Sequence, residues 1–576
     1  MTGLGPWDWV VIGLYFGGIA LVVAWSGRKQ KSSADYFLAS RNIGWFVIGA
    51  SLFASNIGSE HIVGLAGSGA KDGMAMAHYE LHAWCLLVLG WVFVPFYSRS
   101  SVYTMPEFLE RRYNSASRWI LSLVSLVAYV FTKVSVTVYA GGVVFKTLLP
   151  SSTFLPLQDL LNHFIMNPLG THIVLDSFWV GAVTVVILTG IYTVIGGLRA
   201  VVYTDAAQTV VLIVGSICVT AIGLHVLGGW DKLYELCRSV PQVNEATGQV
   251  ATKNFFNMWR PASDPDFPWA GILFGAPIVG LWYWCTDQYI VQRTLAARNM
   301  RVARRGTIWG AYLKLLPVFL FIVPGMIAFA LAKSGRLTLD TPDLAFPALV
   351  QALLPEGLRG LVVAGLLAAL MSSLSSLFNS CSTLFTVDIY EKIRPTASER
   401  ELVRVGRIAT TVVVVLGIAW IPVMKMVAGA LYQYLQIVQA YLAPPITAVF
   451  FLGVFWKRVN ASGAVAGLIV GFLLGMAKLA AQVLAGVEGW GPALPGWLVW
   501  FGLEFNWLYF CLALFAVSVF VIVLVSLLTA APSLERLKGL TYATTKGEGR
   551  TWTKWDVIHT IIILSIIAAV YLYFTG

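Results

Sequence analysis

Apolar runs of about 20 residues recur along nearly the whole chain, separated by short polar or basic segments. About 20 residues of helix at 1.5 Å each cross the hydrocarbon of a bilayer. The pattern predicts fourteen membrane-spanning helices, near residues 7–26, 45–70, 74–98, 118–146, 172–196, 201–228, 269–292, 307–332, 357–389, 405–425, 428–456, 461–486, 505–530 and 555–574. They are numbered I to XIV below.

Polar residues inside these runs are the informative ones, because hydrocarbon charges several kcal/mol for a polar group that faces neither protein nor water. Span II reads SLFASNIGSEHIVGLAGSG over Ser51–Gly69 and carries Asn56, Gly58, Ser59, Glu60 and His61 at its middle. This predicts a helix broken at mid-membrane whose freed backbone and side chains face a ligand, as in secondary transporters. The structural alternative is a glycine-relaxed packing helix whose polar groups satisfy one another. Span III adds Tyr79, Glu80 and His82, and an acid at that depth is a functional candidate or the partner of a buried lysine. Lys133 in span IV either snorkels or pairs.

Asp205 opens span VI, where it is a helix N-terminal charge or a step in a cation path. In span VII, Gly271, Gly275, Pro277 and Gly280 weaken the helix just before Trp282, Tyr283 and Trp284, with Asp287 and Gln288 following at helical spacing. Such aromatics stack on an apolar-faced ring and hydrogen-bond its rim. An aromatic belt is the alternative. Lys314 in span VIII must be paired or face a water-filled cavity. In span IX, Ser372, Ser373, Ser375 and Ser376 place hydroxyls on one side of the helix, which suits close packing or a weakly held Na+. Span XI presents Tyr432, Gln433, Gln436 and Gln439 before a break expected at Pro444-Pro445, and span XII has Gly463, Gly467, Gly471 and Gly475 as a packing seam.

Composition agrees with a polytopic membrane protein: 58% hydrophobic and 12% charged over 576 residues, with a mean hydropathy of +0.76. The net charge of +11 could suggest nucleic acid, but most of the 39 Lys and Arg fall in alternate loops on one side. That is the positive-inside bias, and it places both termini outside a plasma (inner) membrane. MTGLGPWDW has no basic n-region, so span I is expected to stay as a helix rather than act as a cleaved signal. The six cysteines form no disulfide framework or metal spacing. No nucleophile-base pair or metal constellation marks an enzyme. Two broken helices five spans apart, II and VII, are what an inverted repeat of five plus five helices gives.

The segments DYFLASR, ASNIGSEHIVGLAGSG, YTMPEFLERRYN, YTDAAQT, LWYWCTDQYIVQRTLAA, LRGLVVAGLLAALMSSLSSLFNSCSTLFTVDIY and YLAPPITAVFFLGVFWKRVNASGA follow in order over most of residues 35 to 465. With them the chain resembles the sodium/solute symporter family and, within it, the sodium/glucose cotransporter group. The resemblance implies an all-α fold with a LeuT-type 5+5 inverted-repeat core. Its parts would be residues 1–44 (span I and an inner loop), 45–228 (first repeat), 229–268 (an outer loop), 269–456 (second repeat) and 457–576 (peripheral spans XII–XIV). It further implies that a sugar is held by Asn56, His61, Glu80, Tyr283, Trp284, Lys314 and Gln436. Tyr283 would form part of the inner gate, and Leu65, Tyr79 and Tyr432 would cover the sugar from outside.

The coupling ion, Na+, would be bound by the carbonyls of Ala54, Ile57 and Ala369 and the hydroxyls of Ser372 and Ser373. A second sodium site found in some members would use Asp205, Ser375 and Ser376. Three positions depart from the pattern: Gly280 replaces a hydrogen-bonding residue, Gln439 replaces Thr, and Glu60 adds an acid. A hexose-like sugar is the expected substrate, with a cyclic polyol such as myo-inositol as the alternative. A membrane sensor that binds sodium and sugar without net transport is the rival of a different class.

Overall fold

The computed structural model describes all residues except 1–3, 27–31, 59, 149–176, 244–249, 428–430, 487–493 and 545–551. Eleven helices among the described residues are long and apolar enough to cross a membrane, and two shorter apolar helices, Trp45–Asn56 and Gly271–Cys285, stand with them. The expected count of fourteen is therefore not reproduced as fourteen separate helices. Spans II and VII are interrupted, as their polar and glycine content predicts. Two continuous runs, Glu60–Ser100 and Phe178–Leu227, each pass through more than one expected span. Their connections are too short to leave the helical path and bend instead at glycine, Gly73 with φ +65° and Gly197 with φ +54°, a region that side chains disfavour.

Burial sorts the helices into a centre and a rim. The most apolar window of Leu358–Ile393 is 94% buried, against 17% for those of Pro6–Ser26 and Lys554–Tyr573. The central helix Leu358–Thr383 packs along Ser177–Leu227 and touches Trp45–Asn56, which lies in turn against Met300–Leu315. Small residues set these approaches. A Cβ on Gly49 would stand 2.7 Å from the Gly306 carbonyl, and one on Gly325 would stand 2.0 Å from that of Ala66.

The break expected at Pro444-Pro445 is absent: Leu431–Phe455 is one helix through both prolines. A proline cannot donate to the carbonyl four residues back, and the Tyr441 carbonyl freed in this way is where Gly475 packs, its Cβ position 2.1 Å away. Gly471 sits on Pro445, while Gly463 and Gly467 sit on Ile522 and Ser526 of Trp507–Leu528. The seam read in span XII thus joins two different helices.

Of residues 229–268, expected to form an outer loop, the described ones fold over one end of the bundle. They contain the helix Trp230–Cys237 and the antiparallel pair Val240–Val243 with Val250–Lys253, and they bury Phe255, Phe256 and Met258. Lys253 pairs with Asp72 at 2.7 Å, and Arg260 donates to the Asp72 carbonyl at 2.7 Å. The Met258 N–H bonds the Phe574 carbonyl near the chain's last residue. At the other end lies the amphipathic helix Met105–Arg112, capped by Thr104. There Arg118 joins Glu110 (2.5 Å) to Asp388 (2.6 Å), and Lys392 reaches Glu110 (2.8 Å).

Candidate functional site

The helix Trp45–Asn56 stops where Gly58 and the polar residues after it begin, and the chain resumes as a wide π-type turn over Glu60–Leu65. Ser59 lies outside the described residues. At the stop, the carbonyls of Ala54 and Ile57 accept no backbone N–H among the described residues. Span VII breaks later than expected. Its helix runs through Trp282, Tyr283 and Trp284 to Cys285, and Asp287 caps the next helix, Gln288–Leu295. Asp287 and Gln288 therefore do not continue the helical spacing. The glycines before Trp282 produce a π-type turn at Gly271–Gly275 instead of a break.

The two interruptions face one cavity of about 50 Å³, room for about three to five ordered waters at roughly 10–15 Å³ each. Of the residues expected around a sugar, Asn56, His61, Tyr283, Trp284, Lys314 and Gln436 line it, as do Tyr79 and Gln439. Glu80 is fully buried behind this wall, accepting from Lys314 Nζ at 2.6 Å. Leu65 is buried outside the lining, and the side chain of Tyr432 lies outside the described residues. Gln433 turns away, donating to Asp266 at 2.8 Å.

At the cavity, Asn56 Oδ1 and the Tyr79 hydroxyl have no hydrogen-bond partner among the described residues. Leaving a buried polar atom unpaired costs about 1–3 kcal/mol, so both call for a ligand or water that hydrogen-bonds. Asn56 Nδ2 donates to the Tyr283 hydroxyl at 3.2 Å, tying the two interruptions together. Gly280 leaves room for the His82 ring, which a Cβ there would meet at 2.7 Å.

Lys133 and His82, singled out in the sequence but not assigned to the site, also line the cavity, as do Thr137 and Tyr289, which sequence reasoning missed. Lys133 pairs with Asp287 at 2.5 Å and lies within 5.0 Å of the ring centres of Tyr129, Trp282, Tyr283 and Tyr289. Its charge inside an apolar run was the available signal.

The serines of span IX meet Trp45–Asn56 and the buried Asp205. The Ser373 hydroxyl donates to the Ser55 carbonyl at 3.3 Å, and that of Ser372 to Asp205 at 2.6 Å. Asp205 is fully buried within Ser177–Leu227, not at a helix start, and also accepts from Ser51 at 2.6 Å and Ser55 at 3.2 Å. Arg293 Nη2 stands 3.6 Å from it. The Ser375 hydroxyl donates to the Ser372 carbonyl, and that of Ser376 meets Ser55 and Arg293. Ser373 and Ser376 thus meet Ser55 across two facing helices, with Asp205 on a third helix and Arg293 beside the acid.

Comparison with known proteins agrees with this architecture. The chain is 40% identical over 549 residues to sodium/glucose cotransporter 1 of Oryctolagus cuniculus, covering 91% of this chain and 79% of that one. It is also 40% identical over 564 residues to sodium/myo-inositol cotransporter 2 of the same organism, covering 94% and 79%. Its fold matches the substrate-bound, outward-open structure of a Na+-coupled sialic acid symporter with a TM-score of 0.72 at 21% identity, over 92% of this chain and 99% of that one. The family model "Sodium:solute symporter family" matches residues 36–157 and 163–471. By this match and these identities, the chain belongs to the sodium:solute symporter family.

Proposed function

We propose that the chain is a sodium-driven symporter that imports a neutral polyhydroxylated ring, a hexose-like sugar, across the plasma membrane by alternating access. Its termini would lie outside, and its core would be a LeuT-type 5+5 repeat formed by 45–228 and 269–456. The observation that carries the reading is the pair of unsatisfied buried acceptor and donor groups, Asn56 Oδ1 and the Tyr79 hydroxyl, in a cavity walled by Tyr283 and Trp284. A sugar ring supplies an apolar face for the aromatics and a rim of hydroxyls that both donate and accept. In this reading Lys314, held by Glu80, and Gln436 bind ring hydroxyls, and Tyr283 stands between the ring and the inner path.

Sodium would sit between the carbonyls of Ala54, Ile57 and Ala369 and the hydroxyls of Ser372 and Ser373. The stop of helix Trp45–Asn56 supports this, because it frees carbonyls beside hydroxyls, the neutral oxygen donors such sites use. One charge falling through about 100 mV releases about 2.3 kcal/mol, close to a fiftyfold accumulation at about 1.4 kcal/mol per decade. Asp205 with Ser375 and Ser376 is the candidate for a second ion, which would roughly square that electrical factor.

A polyol substrate is the second reading, favoured by the equal identity to the myo-inositol cotransporter. The deciding experiment is uptake of labelled glucose, galactose and myo-inositol into proteoliposomes with and without an inward sodium gradient. Sodium-dependent accumulation of a hexose supports the first reading. Accumulation of myo-inositol alone replaces it with the second, and no accumulation by protein that still binds sodium returns the chain to the sensor reading.

A further inference from the structure

The ionisable groups around the cavity do not balance. Lys133 and Lys314 line it, and each is matched by a carboxylate outside the lining, Asp287 at 2.5 Å and Glu80 at 2.6 Å. Glu60 lines it as well, a third acid in the field of Lys133 but not in contact with it. Its carboxylate meets the Thr137 hydroxyl at 3.4 Å and His61 Nδ1 at 3.8 Å, and no lysine or arginine among the described residues comes within 4.0 Å of it. His61 Nε2 is also 3.8 Å from Glu80, so this ring lies between two acids rather than belonging to one.

The placement of Glu60 is built into the helix break. Its carboxylate folds back over Gly58, where a Cβ would stand 2.1 Å from Oε2. Any side chain at 58 would push it aside. Four residues earlier on the same cavity wall is Asn56 Oδ1, an acceptor without a partner. The wall therefore offers a charged acceptor and a neutral acceptor. A hydroxyl donates only one proton and brings acceptor lone pairs of its own, whereas an ammonium donates three and accepts none. Hydrogen bonds between charged groups are also about twice as strong as neutral ones.

We propose that Glu60 is a specificity-determining residue and that, with Asn56, it makes this site favour a hexose ring bearing a protonated amine over the neutral parent ring. The proposal rests on the sugar-symport reading above and narrows its substrate class.

The test uses the full chain in proteoliposomes with an inward sodium gradient. Labelled glucose uptake is competed by unlabelled glucose or by glucosamine, at a pH where the amine is charged. Wild type is expected to be inhibited by glucosamine at lower concentration than by glucose. Glu60→Gln is expected to shift the ratio of the two inhibition constants about tenfold toward glucose. Thr137→Val, which removes the hydroxyl but keeps the acid, is expected to preserve the wild-type preference. Both competitors are measured on one preparation, so the amount of folded protein cancels from the ratio. An unchanged ratio in Glu60→Gln, or glucosamine failing to compete in wild type while glucose is taken up, overturns this inference and leaves sugar symport standing. Absence of sodium-dependent uptake of any ring overturns both.

Discussion

Lys314 and Glu80 are a buried ion pair, 2% and 0% exposed, and such pairs behave asymmetrically under mutation. Removing one partner strands the other charge at about 3–5 kcal/mol, whereas replacing both is often neutral. Lys314→Met is therefore expected to lower the thermal unfolding temperature sharply, and Lys314→Met with Glu80→Gln to recover most of the loss, with neither protein transporting. Wild-type uptake by the double variant would remove the pair from the site. Gln436 carries no such structural debt, so Gln436→Ala is expected to stay folded in the same melting assay while sodium-dependent sugar uptake falls to background. Robust uptake would take it out of the site. Asn56, His61, Lys314 and Gln436 were legible in the sequence because a polar side chain in an apolar run requires an explanation. Thr137 was not, because a threonine hydroxyl in a membrane helix can bond its own backbone and so gives no signal. The pairing of Lys133 with Asp287 joins positions 154 apart in sequence, and only the fold brings them together.

Several helix pairs in this chain approach each other at glycine, and that makes those contacts sensitive to single methyl groups. Gly475→Ala would place a methyl 2.1 Å from the Tyr441 carbonyl, while Gly13 has nothing within 4 Å of its Cβ position. Gly475→Ala is expected to destabilise by about 1–3 kcal/mol, and Gly13→Ala to be neutral or slightly stabilising. Thermal unfolding of both in the same detergent checks the contrast, and equal melting temperatures would contradict the packing. The glycine period of span XII was readable as a seam, but which helices it joins was not. The prolines of span XI were misread as a break because proline removes a hydrogen bond without dictating what replaces it. At the end with Met105–Arg112, burial raises the Glu110 carboxyl, but hydrogen bonds from Lys392, Ser115 and Arg118 outweigh it and hold it down at about 2. The stability this clasp gives is present above the ordinary glutamate range and lost only as pH falls toward 2. Its contribution should stay flat in unfolding measurements from pH 5 to 9, and a clear rise in stability with pH across that window would contradict it.

For the whole molecule, an ion held between two facing helices must stabilise the state that holds it. A ligand present at ten times its Kd adds RT ln 11, about 1.4 kcal/mol. Sodium is expected to raise the melting temperature of wild type where equimolar potassium does not, and Ser373→Ala is expected to abolish the difference. A sodium-specific shift that survives in Ser373→Ala would place the ion elsewhere. The membrane class was legible from hydropathy and the two interruptions from the polar residues and glycines inside apolar runs, although span VII breaks later than its glycines suggested. The separation of centre from rim was not, because Trp507–Leu528 and Leu358–Thr383 are both strongly apolar, and lipid and protein neighbours favour the same residues. The cap formed by 229–268 was hidden for the opposite reason: its polar surface conceals Phe255, Phe256 and Met258, which pack inward. That cap is bonded from Met258 to Phe574, a partner made more than 300 residues later in synthesis. During synthesis the cap therefore stays unlatched until Lys554–Tyr573 and the Phe574 that follows it have been made, so this contact joins an early segment to a late one.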